Sequence, residues 1–138
     1  MDPNNPVVKL CAKGMACESR GEFDAAAESF TEAWQQAVDD FEHCIAAHYV
    51  ARHRKNPLDT LMWNQRSLDH ANAVRDDRVG EFYPSLYLNM GKAHEDLGNR
   101  EDAKRFYELA ANTLSVLGEG RYGDTVRQAV ERALLRVA

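Results

Sequence analysis

GKAHEDLGNREDAKRFYELA, residues 91–110, decides the fold. Small residues (Gly91, Ala103, Ala110) alternate with large ones (Leu97, Tyr107) at the spacing two antiparallel helices need to interlock. Gly98-Asn99 supplies the turn between them, because glycine accepts the left-handed conformation that ends a helix. The stretch therefore predicts a helical hairpin.

Sliding this stretch 77 residues toward the N-terminus finds it again. Gly14 falls on Gly91, Gly21 on Gly98, Ala26 on Ala103, Phe30 on Tyr107, Ala33 on Ala110 and Glu18 on Glu95. The turn glycines, the packing residues and the aromatic all coincide at one offset, so the chain holds at least two copies of one hairpin. Lys13 occupies the slot of Met90, which makes the first copy the more degenerate, as terminal repeats often are.

These residues resemble a tetratricopeptide repeat (TPR). Tyr87 stands in the aromatic slot of that pattern, Met90-Gly91 in its Leu-Gly pair, and Ala103 with Tyr107 in its A-x3-aromatic step. His94 stands where the pattern has Tyr, and Ser115 lies near the place of its closing Pro. The resemblance implies an all-α, right-handed superhelix (solenoid) of antiparallel helix pairs acting as a scaffold for protein–protein interaction. Two standard repeats of roughly 34 residues fall about nine short of the 77-residue offset, so a third, enlarged hairpin is expected in the middle.

In chain order, the turn-rich lead-in Asp2 to Pro6 precedes a hairpin over about 7–38, with Gly21 breaking it and Ala26, Phe30, Ala33, Trp34 and Ala37 on one side of the second helix. The middle hairpin covers about 40–75. Pro57 is read as stopping its first helix, since the residue before proline leaves the helical region, and Asp59 or Thr60 as capping its second. Asn64 then sits among Leu61, Leu68 and Ala71 on an apolar stripe, in the place of Ala26 and Ala103, and is expected to hydrogen-bond the loop Lys55 to Asp59. The third hairpin covers about 81–117, and Gly118 to Gly123 reads as a loop. A capping helix over about 124–138, with Asp124 as its N-cap, carries Val126, Ala129, Val130, Ala133, Leu134 and Val137 on one stripe. Leu135 lies off it and is expected in solvent. The whole 138 residues read as a single domain.

Hydrophobic residues at 44% and charged residues at 28% exclude a largely disordered chain. The net charge of -5 disfavours nucleic acid and anionic membranes as partners. No apolar run approaches the roughly 18 residues of a spanning helix, and the N-terminal MDPNNPVVKL lacks the order of a signal peptide. Cys11, Cys17 and Cys44 are odd in number without CxxC spacing, which points to reduced thiols and a cytoplasmic location.

Motifs for chemistry lack their context. GEGRYG at 118–123 matches GxGxxG, but no strand precedes it and too little chain follows for a βαβ unit, so no nucleotide cofactor is expected. Arg52-His53-Arg54-Lys55 reads as cations at a helix C-terminus rather than a nucleic-acid patch. Cys44 and His48, four apart, with Cys11 on the neighbouring hairpin, are weak metal-ligand candidates, a third and fourth ligand at proven spacing being absent. His43 and Cys44 diverge by about 100° on a helix and make no nucleophile–base pair, so no catalytic residue and no enzyme activity are assigned.

The function expected is a protein-interaction module that takes a peptide or helix in its concave groove. His48, Arg52, Ser85, Asn89, Lys92 and Asp96 are the polar groove residues by this register. The basic and Asn set by which some TPR domains grip a terminal carboxylate is largely absent, Cys11 and Met15 occupying its first-hairpin slots and Ser85 and Asn89 its third-hairpin ones, so that binding mode is not expected. Two alternatives stand beside it: a homo-oligomer anchored by Trp34 and Trp63, and a metal-binding or enzymatic protein using Cys44 and His48.

Overall fold

The computed structural model describes residues 1–138. The chain is all-α, with seven helices and no strand: α1 (Pro6–Ser19), α2 (Phe23–Gln36), α3 (Asp40–Val50), α4 (Pro57–Ala73), α5 (Tyr83–Asp96), α6 (Arg100–Asn112) and α7 (Arg121–Val137). Short 3-10 turns occupy Ala51–His53, Asp77–Phe82 and Leu114–Val116. Successive helices pack as pairs, α1 on α2, α3 on α4 and α5 on α6. By contacts the chain divides into two compact units, Met1–Arg78 and Val79–Ala138, so that the first two hairpins share a unit and the third forms the other with α7.

In the first unit, Asn5 caps α1 by accepting from Val7 N at 2.8 Å and Val8 N at 3.2 Å, with Pro6 at the first helical position. The same side chain donates through Nδ2 to Glu42 Oε2 at 2.8 Å, and Glu42 Oε1 accepts from Val38 N at 3.0 Å. One buried carboxylate thus joins the lead-in, the α2–α3 connector and the first turn of α3. The turn after α1 closes through Gly21, φ 74°, with Glu22 N donating to Cys17 O at 2.9 Å. Gly98, φ 81°, repeats it after α5, with Asn99 N donating to His94 O at 2.9 Å.

Each outer hairpin is locked by one glycine–aromatic contact. The Phe30 ring fills the space a side chain at Gly14 would need, and the Tyr107 ring does the same at Gly91. Both rings are fully buried, Phe30 against Cys17, Ala26 and Val50, Tyr107 against Ala103, Ala133 and Val137. The small-residue slots exist so that an aromatic can reach the partner helix backbone.

The middle hairpin departs from this pattern. Pro57 does not stop a helix but starts one: α4 begins there, three residues before the expected Thr60, and Asn56 rather than Asp59 or Thr60 is its cap, accepting from Asp59 N at 2.8 Å. Helices α1 and α3 start 34 residues apart, as do α2 and α4, so no residues are inserted around 55–59. The enlargement lies further on, in an α4 of 17 residues against 14 in α2, and in a connector of residues 74–82 against 37–39. By this register His48 holds the slot of Gly14 and Gly91, and Asn64 that of Phe30 and Tyr107, not that of Ala26 and Ala103. Asn64 is buried, but no hydrogen bond joins it to Lys55–Asp59; Asn56 and the Arg54–Asp59 ion pair, 2.6 Å, hold that segment.

In the second unit, α7 lies on α6 and α5, burying Val126, Val130, Ala133 and Val137 and leaving Leu135 in solvent. It begins at Arg121, inside the expected loop, with Gly120 rather than Asp124 at its N-cap position. Arg127 Nη2 donates back to Leu117 O at 3.0 Å, and a Cβ at Gly123 would stand 2.5 Å from Gly118 O. The last glycine of GEGRYG is therefore a packing residue. The far end of α7 is held by Arg100, which donates to the carbonyls of Val137 and Ala138. No helix is long and apolar enough to cross a membrane.

Candidate functional site

Helix α5 presents one polar face, and α7 runs beside it with its own basic residues. Between them, over the Tyr107 ring of α6, lies a cleft of about 330 Å³ lined by Leu88, Asn89, Lys92, Tyr107, Ala129, Arg132 and Arg136. Leu88, Tyr107 and Ala129 form an apolar floor, and Asn89 with three cations forms the rim. Such a concavity, apolar below with a few polar groups above, is the usual shape of a binding site.

The cations differ in how far they are already satisfied. Arg136 forks onto Glu95, with Nε–Oε2 at 3.0 Å and Nη2–Oε1 at 3.1 Å, and Tyr107 donates its hydroxyl to Glu95 Oε1 at 2.6 Å. Hydrogen bonding from Arg136 holds Glu95 below the usual carboxylate range, against burial, and Tyr107 adds to it. Burial and the hydrogen bond to Glu95 push the Tyr107 phenol well above its ordinary value. Lys92 pairs one turn along α5 with Asp96 at 2.7 Å, a pair about half exposed and weak. Arg132 is exposed, with no carboxylate within ion-pair distance.

Of the groove residues expected from sequence, Asn89 and Lys92 line this cleft. Asp96 serves as the partner of Lys92, and Ser85 is engaged with α7, its Oγ 2.6 Å from the Tyr122 hydroxyl. His48 and Arg52 belong to the first unit. Their slots correspond to Gly91 and Glu95, whereas Ser85 and Asn89 correspond to Glu42 and Ala46, two residues from the expected slots of Cys44 and His48. Arg52 Nη2 reaches Glu18 Oε1 at 3.0 Å and its guanidinium lies over Tyr49. His53 Nε2 meets Glu18 Oε2 at 2.6 Å while its ring stacks on Phe30. Arg52, His53 and Arg54 of the basic run thus pair with carboxylates of their own unit. Missed in the sequence were Arg132 and Arg136, whose spacing from Ala129 at i+3 and i+7 places all three on one flank of the α7 stripe.

No group of three His, Cys, Asp or Glu side chains gathers to hold a metal. Cys44 is buried against Ser67, whose Oγ donates to Cys44 O at 2.8 Å. Burial pushes the Cys11 thiol up to about 12 and the Cys44 thiol up to about 11. Burial, aided by Arg52, lowers His48 to about 4. Since Cys44 takes the slot of Leu10 rather than Cys11, the proposed Cys11–Cys44 alignment slips by one residue, about 100° of helix. Trp34 and Trp63, the anchors of the oligomer alternative, contact each other edge to face at 4.9 Å and are half-buried.

Residues 84–112, which are α5, the turn and α6, match the family model described as tetratricopeptide repeat. No curated protein and no solved structure matches the chain.

Proposed function

Starting from a tetratricopeptide repeat at residues 84–112, we propose that this chain is a non-enzymatic protein-interaction module that binds a peptide segment in the cleft between α5 and α7. Protein–protein interaction is the general role of such repeats. The observation that carries the finer reading is the cleft itself, an apolar floor of Leu88, Tyr107 and Ala129 under Asn89, Lys92, Arg132 and Arg136. On a chain of net charge -5, a local cluster of cations selects against most of the surface's own character and for an acidic segment. An aliphatic side chain over the floor and a carboxylate at Arg132 would satisfy both parts of the site.

Peptide-display selection against the purified protein tests this. Enriched peptides should place Asp or Glu beside a branched aliphatic residue, and Lys92→Glu with Arg132→Glu should abolish their binding while leaving the unfolding temperature within a few degrees. Enrichment without an acidic residue, or binding indifferent to the double substitution, would show that the cleft is not the peptide site.

A further inference from the structure

Val38 is 84% exposed, more than any other large apolar side chain of the protein. It stands in the α2–α3 connector, residues 37–39, between Ala37 (φ -63°, ψ 137°) and Asp39 (φ -122°, ψ 171°), both in extended backbone. Asp39 and Asp40 follow it directly. The segment thus presents a branched aliphatic side chain beside two carboxylates, held out of its own core.

Its shape is fixed from below. Val38 N donates to Glu42 Oε1 at 3.0 Å, and Asp39 Oδ1 accepts from Glu42 N at 2.8 Å. Asp40 Oδ1 lies 2.8 Å from Nδ1 of His70, a ring stacked on His43, and the Asp40 side chain is still 47% exposed. Arg78, whose charge reaches Asp39, is bound through Nε to both oxygens of Asp76, at 2.9 and 3.0 Å, so this end of the first unit stays acidic. A segment already held in one conformation loses little freedom when it binds.

The α5–α7 cleft asks for the same groups. Leu88, Tyr107 and Ala129 form its apolar floor, and three cations stand at its rim. Lys92 is paired with Asp96 and Arg136 with Glu95, so three positive charges against two negative ones leave a single charge, that of Arg132, for one carboxylate. We infer, resting on the reading of this cleft as a peptide site, that its occupant is the Ala37–Asp40 segment of a second copy of this chain, with Val38 on the apolar floor and an aspartate carboxylate on Arg132. Other exposed branched side chains fit less well. Leu58 precedes Asp59, which is already engaged by Arg54 at 2.6 Å, and Leu135 lies between Arg132 and Arg136 in the sequence, cations like those of the cleft. The contact joins unlike surfaces and is therefore head-to-tail, each copy offering one connector and one cleft.

Sedimentation equilibrium of the full chain tests this, and the wild type should associate as its concentration rises. Val38→Lys and Arg132→Glu each replace an exposed side chain, so each should keep the wild-type unfolding temperature while weakening association about tenfold or more, as loss of an interface anchor does. Mixed, the two variants should associate more tightly than either alone, because the intact connector of the Arg132→Glu protein can enter the intact cleft of the Val38→Lys protein. A wild type that stays monomeric, a Val38→Lys protein that associates like the wild type, or a mixture no tighter than its components overturns the second copy as occupant. Peptides from display selection separate that failure from failure of the cleft itself. If they bind the monomer and are lost with Lys92→Glu and Arg132→Glu, the cleft is a peptide site for another protein; if they do not bind, the peptide site falls as well.

Discussion

Gly91 lies directly beneath the ring of Tyr107, so that a Cβ at Gly91 would stand 2.5 Å from both Cδ1 and Cε1. The ring cannot retreat, being fully buried among Ala103, Ala133 and Val137 with its hydroxyl committed to Glu95. Gly91→Ala should therefore destabilise the second unit by about 1–3 kcal/mol through over-packing, despite the roughly 1 kcal/mol that alanine gains over glycine within a helix. Urea unfolding measures it. A neutral or stabilising result would mean that the ring has room to move.

The buried Glu42 carboxylate should matter through its hydrogen bonds more than its volume. Glu42→Ala leaves Asn5 Nδ2 and Val38 N without their acceptor, a loss of about 1–3 kcal/mol for unsatisfied groups. Glu42→Gln keeps an acceptor oxygen and should cost less. The ordering of the two unfolding midpoints is the check, and equal midpoints would show the carboxylate to be idle.

Acid should unfold the protein through its paired glutamates. Burial pushes Glu42 up, but hydrogen bonds from Val38 N and Asn5 outweigh it, and Glu95 is held down chiefly by Arg136. Folded values below the unfolded one of about 4.3 mean that each group's stabilisation is complete at higher pH and is lost as pH falls through its folded value. Glu95→Gln should flatten the acid limb of a stability–pH profile below about pH 4.3 while changing its shape little at neutral pH. An unaltered acid limb would remove Glu95 from the explanation.

Cys11 and Cys44 should resist alkylation in the native state. With burial raising the Cys44 thiol to about 11, its thiolate fraction at about pH 8 is on the order of one part in a thousand. Iodoacetamide followed by mass spectrometry should label both slowly in the folded protein and rapidly in denaturant. Fast native labelling at Cys44 would indicate that α3 and α4 open readily.

The start of α4 can be tested by its cap. Asn56→Ala removes the acceptor of Asp59 N and should cost about 1 kcal/mol, read from the thermal midpoint. No change would place the cap elsewhere.

The two outer hairpins were legible because their packing is written into residue size at fixed spacing. Gly14 with Phe30 and Gly91 with Tyr107 are each a void and a filler, and nothing but a close helix contact calls for that pair. The middle hairpin was less legible because it solves the same contact with other residues, His48 in the glycine slot and Asn64 in the aromatic one. Without a matching size pattern its alignment could not be read from residue size: α3 lies one residue and α4 four residues from the expected register, and Pro57, expected to end a helix, begins one. Half the cleft was visible as the polar face of α5. The other half, Arg132 and Arg136, was hidden in a helix read only for its apolar stripe.

By itself the sequence determined that the chain is helical, that it contains a repeated hairpin, and that about nine residues are added in the middle. Periodicity, turn glycines and the 77-residue offset are properties of the chain alone. Where those residues go, in a longer α4 and the 74–82 connector, was decided only in three dimensions. So were the pairing of Arg52 and His53 with Glu18, the meeting of Lys92 with Arg132 across a cleft, and the stacking of His43 on His70. Each joins groups distant in sequence, and their approach depends on how helices seat against one another rather than on any local preference of the backbone.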